Sequence, residues 1–237
     1  MERLKSVSRS QELKLALKTL GVGLGFLVAG QYGGLWPTML FAAAYVFFYF
    51  RPGINTGAYW ASYFINLGFL FAFPWDSADL RLQVAASIAF AVVFGLILSV
   101  KDIIFIRRDL AAHAAYFIIL GFLTFFFFAG MFGEFGQVAT TISIFLVARE
   151  FYRSVVKNSL AVYPLFAAFL YSEILWAIYA IPIGFTAKSA LAMVAMFLSS
   201  DVIVHHLKNN LSVKVVLRNV AVFILFLLAI LQVVAGS

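Results

Sequence analysis

Long apolar segments recur along almost the whole chain, and this pattern constrains the fold more than any single motif. Hydrophobic residues make up 64% of the 237 residues, and charged residues make up only 11%. A soluble domain carries about 25% charged residues, so the composition excludes an ordinary soluble globular protein. Continuous apolar runs such as 125–128 lack the alternation of a transmembrane barrel. The sequence therefore predicts an all-α, polytopic transmembrane helical bundle with no soluble domain.

The apolar segments predict about eight or nine membrane spans. Segment 19–50 would form a helix of about 48 Å, which is too long for one crossing. Gly33-Gly34 predicts a tight turn that divides this segment into two helices. The other predicted spans are 58–73, 82–100, 111–130, 137–148, 160–183, 186–204 and 220–234. Segment 137–148 gives only about 18 Å of helix, so a crossing there must continue through the charged residues that follow it.

The distribution of basic residues predicts the orientation of the chain in the membrane. Residues 1–18 are expected to form a basic amphipathic lead-in on the cytoplasmic side, and 19–237 a single transmembrane domain. If every predicted span crosses, all of the 17 Lys and Arg residues except Arg81 and Lys188 lie inside. This asymmetry obeys the positive-inside rule. We therefore expect a multi-pass integral membrane protein with a cytoplasmic N-terminus and an external C-terminus.

Glu173 lies deep in an apolar segment, 160–183, with no charged neighbour in sequence. A charged side chain at the centre of a membrane helix costs roughly 2.5–3.5 kcal/mol on insertion scales. Such residues usually face a bundle interior or a water-filled cavity. The functional hypothesis is a buried proton or cation site. The alternative is a protonated or hydrogen-bonded Glu173 that holds two helices together.

Asp201 and His205 lie one helical turn apart, and Lys208 follows on the same face. This spacing suits a proton relay or an inner gate. The alternative is a helix end near the inner surface with a satisfied Asp–His pair. Asp201 is predicted to lie roughly 13 Å from Glu173 in depth. That separation is too large for the two carboxyl groups to share one proton.

Arg149 and Arg153 interrupt the short apolar segment 137–148 and its continuation. Arginine forks suit phosphate groups, so Arg149, Arg153 and Lys208 are candidate contacts for an anionic lipid headgroup. The alternative is a helix end whose long side chains reach the headgroup region without binding a specific lipid.

Several kinds of chemistry have no support in the sequence. The chain has no cysteine, which excludes disulfides and thiolate catalysis. Motifs for nucleotide hydrolysis and for the common protease classes are also missing. No catalytic residue can be assigned, no metal or other cofactor is predicted, and whether the protein is an enzyme stays open.

The first functional hypothesis is a transporter of a small solute or ion, with Glu173 as its ionisable site and Asp201 with His205 as a gate or proton exit. The second is a membrane-embedded enzyme that acts on a lipid or a lipid-linked substrate. The third is a structural or assembly protein without catalysis. The expected partners are the bilayer, a proton or small solute, an anionic lipid and a second copy of the chain. Nucleic acid is not expected, because membrane topology explains the net charge of +7.

Overall fold

The computed structural model describes residues 2–51, 59–76, 78–101, 108–131, 136–155 and 162–235. Within these ranges the chain forms nine α-helices and no strand. The helices are α1 (Glu2–Tyr32), α2 (Leu35–Phe50), α3 (Trp60–Ala72), α4 (Leu80–Lys101), α5 (Arg108–Phe128), α6 (Gly136–Val155), α7 (Val162–Tyr179), α8 (Phe185–Leu207) and α9 (Val213–Ala235). The all-helical prediction is therefore confirmed for the described part of the chain.

Six of the described helices are long and apolar enough to cross a membrane, as judged by length and composition: α1 from Glu12 onward, α4, α5, α7, α8 and α9. Helices α2 and α3 are apolar but shorter. Helix α6 is not among the six, although it continues through its charged turn to Val155, as the sequence required for any crossing. These helices are compatible with a multi-pass integral membrane protein. The exact number of spans stays a prediction.

The helix boundaries correct several details of the sequence interpretation. Helix α1 continues without a break from Glu2 to Tyr32, so the basic lead-in is the first part of the same helix. The Gly-Gly turn is confirmed: Gly33 has a φ of +56°, a backbone conformation that glycine adopts without strain. The expected basic connection 205–218 shrinks to 208–212, since α8 reaches Leu207 and α9 begins at Val213. Lys157 and the predicted loop 51–57 lie outside the described residues, apart from Arg51 at the start of that loop.

The chain divides into two compact units, Met1–Ile119 and Leu120–Ser237, and the boundary falls within α5. In the first unit α1 packs closely against α4 through small residues. A Cβ atom added to Gly23 would lie 2.9 Å from the Ala91 Cβ, and one added to Gly95 would lie 2.7 Å from the Thr19 Oγ1. Small residues allow two membrane helices to approach closely, and dispersion contacts then hold them together.

Aromatic rings and a buried polar network fill the core of the first unit. The Phe26 and Phe90 rings stack with centroids 4.1 Å apart. Tyr45 and Tyr63 each donate a hydroxyl hydrogen bond to the backbone carbonyl of the other. The Asn66 side-chain amide, which is fully buried, donates to the Tyr45 hydroxyl at 2.9 Å. Asn66 also donates to the Phe90 carbonyl of α4 at 3.3 Å, so polar contacts as well as ring packing join helices α2, α3 and α4.

Lys101 is buried at the end of α4, although the predicted span 82–100 ends one residue before it. It is the last residue of α4, and 1% of its surface is exposed. Its ammonium group donates to the Tyr49 carbonyl and lies 4.8 Å from the centre of the Tyr49 ring. The ring face and the carbonyl both offer negative potential to the cation. Lys101 therefore helps to fasten the end of α4 to α2.

In the second unit, consecutive helices from α6 to α9 run antiparallel. Thr141, near the start of α6, shares a hydrogen bond of 2.8 Å with Ser172 in the second half of α7. The Tyr163 ring, near the start of α7, lies 6.3 Å from the His206 ring at the end of α8. Asn219, near the start of α9, donates to the Leu198 carbonyl in the second half of α8. The ends of α6 and α8 therefore lie at the same end of this unit as the starts of α7 and α9.

We predict that Gly23→Leu destabilises the protein by about 1–3 kcal/mol, because the new side chain meets Ala91 and the Ser87 carbonyl. Gly68→Leu is the matched control, since Gly68 is exposed and a Cβ there meets nothing within 4 Å. Denaturant unfolding in detergent micelles measures the difference. Equal stability of the two variants would contradict close packing of α1 against α4.

Candidate functional site

The best-connected ionisable group in the described part of the second unit is the Asp201 carboxylate on α8. Its Oδ2 accepts hydrogen bonds from Arg218 Nη2 at 2.8 Å and from Asn219 Nδ2 at 2.9 Å, both on α9. Asn219 is buried, and its amide oxygen lies 3.4 Å from Arg218 Nε. About a quarter of the Asp201 side chain is exposed. The carboxylate therefore joins two helices and remains reachable from outside the core.

His205 completes this group from one turn further along α8. Its Nδ1 lies 2.8 Å from the Asp201 backbone carbonyl and 3.3 Å from Asp201 Oδ1. Both of these oxygens are acceptors, so Nδ1 carries a proton and donates. In the neutral ring Nε2 is then the acceptor nitrogen. The predicted pairing of Asp201 with His205 is thus present in the structure, while its role in proton movement stays a prediction.

A line of buried hydroxyl groups crosses the same unit beside Asp201. The Tyr152 hydroxyl on α6 lies 3.5 Å from the Tyr171 hydroxyl on α7. The Tyr171 hydroxyl in turn shares a hydrogen bond with Ser200 on α8. All three side chains are at most 1% exposed. Because hydroxyl groups both donate and accept, such a line can reverse its direction without leaving a group unpaired.

Three consecutive residues of α7 point in three directions. Tyr171 is buried and faces the hydroxyl line, while Ser172 bonds to Thr141 on α6. Glu173 is exposed, on a face that also exposes Phe169 and Trp176. No described residue forms an ion pair or hydrogen bond with the Glu173 side chain.

The expectation that Glu173 faces the interior of the bundle is therefore wrong for the chain as described. The physical reason is that α7 is apolar on all sides. Its sequence offered no contrast between an inner and an outer face. The inner face is instead marked by Tyr171, which finds hydroxyl partners on α6 and α8.

The lipid-phosphate candidates lie at one end of the second unit. Arg149 is half-buried in the second half of α6, and Arg153 is exposed in its last turn. Lys208 is exposed and directly follows α8. Because α6 and α8 both end here and α9 begins here, Arg218 belongs to the same end. The antiparallel packing therefore places these basic residues at the same end of the unit, and their contact with a lipid phosphate stays a prediction.

Arg218 and Asn219 were not predicted as partners of Asp201, because the last predicted span begins only at residue 220. A usable signal was present: the dipeptide is polar and stands between Leu217 and Val220 in an otherwise apolar segment. A polar pair inside a membrane helix usually has a partner on a neighbouring helix.

Neither a metal centre nor a family assignment emerges from the described residues. In this part of the chain no three His, Asp or Glu side chains are grouped closely enough to hold a metal ion. No protein-family model, no curated protein and no solved structure matches the chain. Functional inference therefore has to come from the geometry alone.

We predict that Tyr171→Phe destabilises the protein by about 1–3 kcal/mol, because Ser200 then keeps a buried hydroxyl without its partner. Tyr179→Phe is the matched control on the same helix, since the Tyr179 side chain is exposed. Chemical unfolding of the two variants in the same detergent gives the comparison. A loss of equal size in both would mean that the hydroxyl line contributes nothing to stability.

Proposed function

We propose that the protein is a proton-coupled carrier of a small solute or ion, with Asp201 as its ionisable centre. The observation that carries this proposal is the convergence of Arg218, Asn219 and His205 on one carboxylate between two apolar helices. Ionisable residues within membrane helices mark proton and ion pathways more often than they serve as simple structural contacts. The partial exposure of Asp201 supports exchange with water.

Proton binding to Asp201 would compete with its two contacts to α9. A neutral carboxyl accepts more weakly from Arg218 and Asn219 than the carboxylate does. The contact between α8 and α9 would then loosen, while His205 Nε2 supplies or removes the proton. Tyr152, Tyr171 and Ser200 offer a line of hydroxyl groups that ends at Ser200, the residue before Asp201 in sequence. Proton binding would thus shift the contact between α8 and α9 from a tight state to a loosened one. A coupled carrier needs an element with two such states.

Glu173 has a secondary role in this proposal. Its exposed position on α7 supports a protonation site at the outer surface of the unit rather than a site inside it. The carrier proposal also includes the orientation of the chain, with a cytoplasmic N-terminus and an external C-terminus. A second copy of the chain is a proposed partner.

We predict that Asp201→Asn abolishes proton uptake into proteoliposomes that are energised by a potassium diffusion potential. An enclosed pH-sensitive dye reports the uptake. The amide keeps the size of Asp201 but cannot bind or release a proton. Asp201→Glu should restore part of the uptake, because it returns a titratable carboxyl group.

Two controls make this experiment decisive. Asp76→Asn changes an exposed carboxylate in the first unit and should leave uptake unchanged. Glu173→Gln should retain most of the uptake if Asp201 is the centre. Full uptake by Asp201→Asn, or its loss in Glu173→Gln alone, would contradict the assignment of the centre to Asp201.

A membrane-embedded enzyme that handles lipids is the second candidate, and one observation favours it. Arg149, Arg153, Lys208 and Arg218 gather at one end of the unit, near His205 on α8, so an anionic headgroup would meet basic residues beside a titratable ring. This candidate expects Arg149→Ala to abolish turnover of an anionic lipid in mixed micelles while proton uptake is unaffected. Unchanged lipid composition after incubation with the unaltered protein would count against it.

A further inference from the structure

A groove of about 480 Å³ runs between α1 and α2 in the first unit. Lys18 is the only charged residue among those that line it within the described chain. The others are apolar except for Tyr45, and they include Gly21, Gly25, Phe41 and Phe48. The groove is separate from the Asp201 cluster, which belongs to the second unit.

The groove exists because α1 carries glycine where it faces α2. At Gly25 the Phe41 ring takes the place of a side chain, since a Cβ there would lie 2.8 Å from this ring. At Gly21, one turn earlier, a Cβ would meet nothing within 4 Å. The two helices therefore close against each other near Gly25 and stay apart near Gly21.

The position of the groove along the helices suits the apolar part of a lipid. Gly25 lies about 12 Å from the Gly33 turn and Lys18 about 22 Å from it, at 1.5 Å per residue. Helix α1 is apolar enough to span a membrane from Glu12 to Tyr32, and α2 is apolar throughout. A slot along such helices faces hydrocarbon rather than water, so its natural occupant is an acyl chain.

Lys18 supplies the polar end of the site. Its ammonium lies over the Phe48 ring, 5.8 Å from the ring centre, at the end of the groove far from the turn. No described carboxylate pairs with it. A phosphate group would provide the missing anion at the level where a lysine reaches the headgroup region. One end of the groove is thus cationic and the rest is apolar, which matches an anionic phospholipid.

We propose that the groove between α1 and α2 binds one anionic phospholipid, with an acyl chain against Gly21 and the phosphate on Lys18. This site is independent of the carrier proposal, because it uses other residues in the other unit. The bound lipid would fill the space that the two helices leave open. Lys18 would make the groove select lipids with anionic headgroups.

Native mass spectrometry tests the proposal with protein released from nanodiscs of equal parts phosphatidylglycerol and phosphatidylcholine. The unaltered protein should retain one phosphatidylglycerol. Gly21→Leu should lose it, since leucine fills the groove without a clash at its Cβ. Ala44→Phe, an exposed position that fills the groove from α2, gives a second variant if Gly21→Leu does not fold. Gly68→Leu is the matched control and should keep the lipid.

Two lysine variants test the preference of the groove for an anionic headgroup. Lys18→Gln should bind the two lipids equally, because the groove remains but the cation is gone. Lys14→Gln removes an exposed lysine one turn away and should keep the preference. Retention of phosphatidylglycerol by the groove-filling variants would overturn the site. Equal binding of both lipids by the unaltered protein would overturn the role of Lys18.

Discussion

Hydrocarbon offers no hydrogen-bond partner, so a polar side chain inside an apolar helix bundle pairs within the protein. Serines such as Ser189 and Ser199 bond to a carbonyl of their own helix, whereas larger polar groups find partners on other helices. The structure meets this constraint with a few concentrated groups. Asp201 draws Arg218 and Asn219 from α9 to α8. Tyr171 joins α7 to α8 through Ser200, and Tyr45, Tyr63 and Asn66 join α2 to α3. Small and aromatic residues pack the helices together around these polar contacts.

The two units pair their buried polar groups in different ways, and this difference bears on function. In the first unit the polar groups are mostly tyrosine hydroxyls, an amide and the backbone, packed among stacked rings. Such a network rigidifies a core and has no carboxylate to titrate. In the second unit the central acceptor is a carboxylate with a histidine beside it. The carrier proposal therefore concerns the second unit, and the lipid-binding proposal concerns the first.

Much of the helical architecture could be predicted from the sequence, because long apolar segments and glycine turns report directly on membrane helices. The Gly33-Gly34 turn and the one-turn spacing of Asp201 and His205 are examples. The inward face of each helix could not be predicted. Helix α7 is apolar on all sides, so nothing in its periodicity showed that Tyr171 faces inward and Glu173 outward. Lys101 and Asn219 were hidden for a related reason: each is buried by a partner on another helix.

The central proposal is that α8 crosses the membrane with the Asp201 cluster and the basic end of the second unit on the cytoplasmic side. The chain has no cysteine, so a single introduced thiol can be labelled without background. Asn210→Cys lies in the connection after α8, and Gly184→Cys directly precedes α8 at an exposed position where a Cβ meets nothing within 4 Å. A membrane-impermeant maleimide applied to intact cells should label Gly184→Cys and leave Asn210→Cys unlabelled until the cells are opened. Labelling of both positions from the same side would contradict the account.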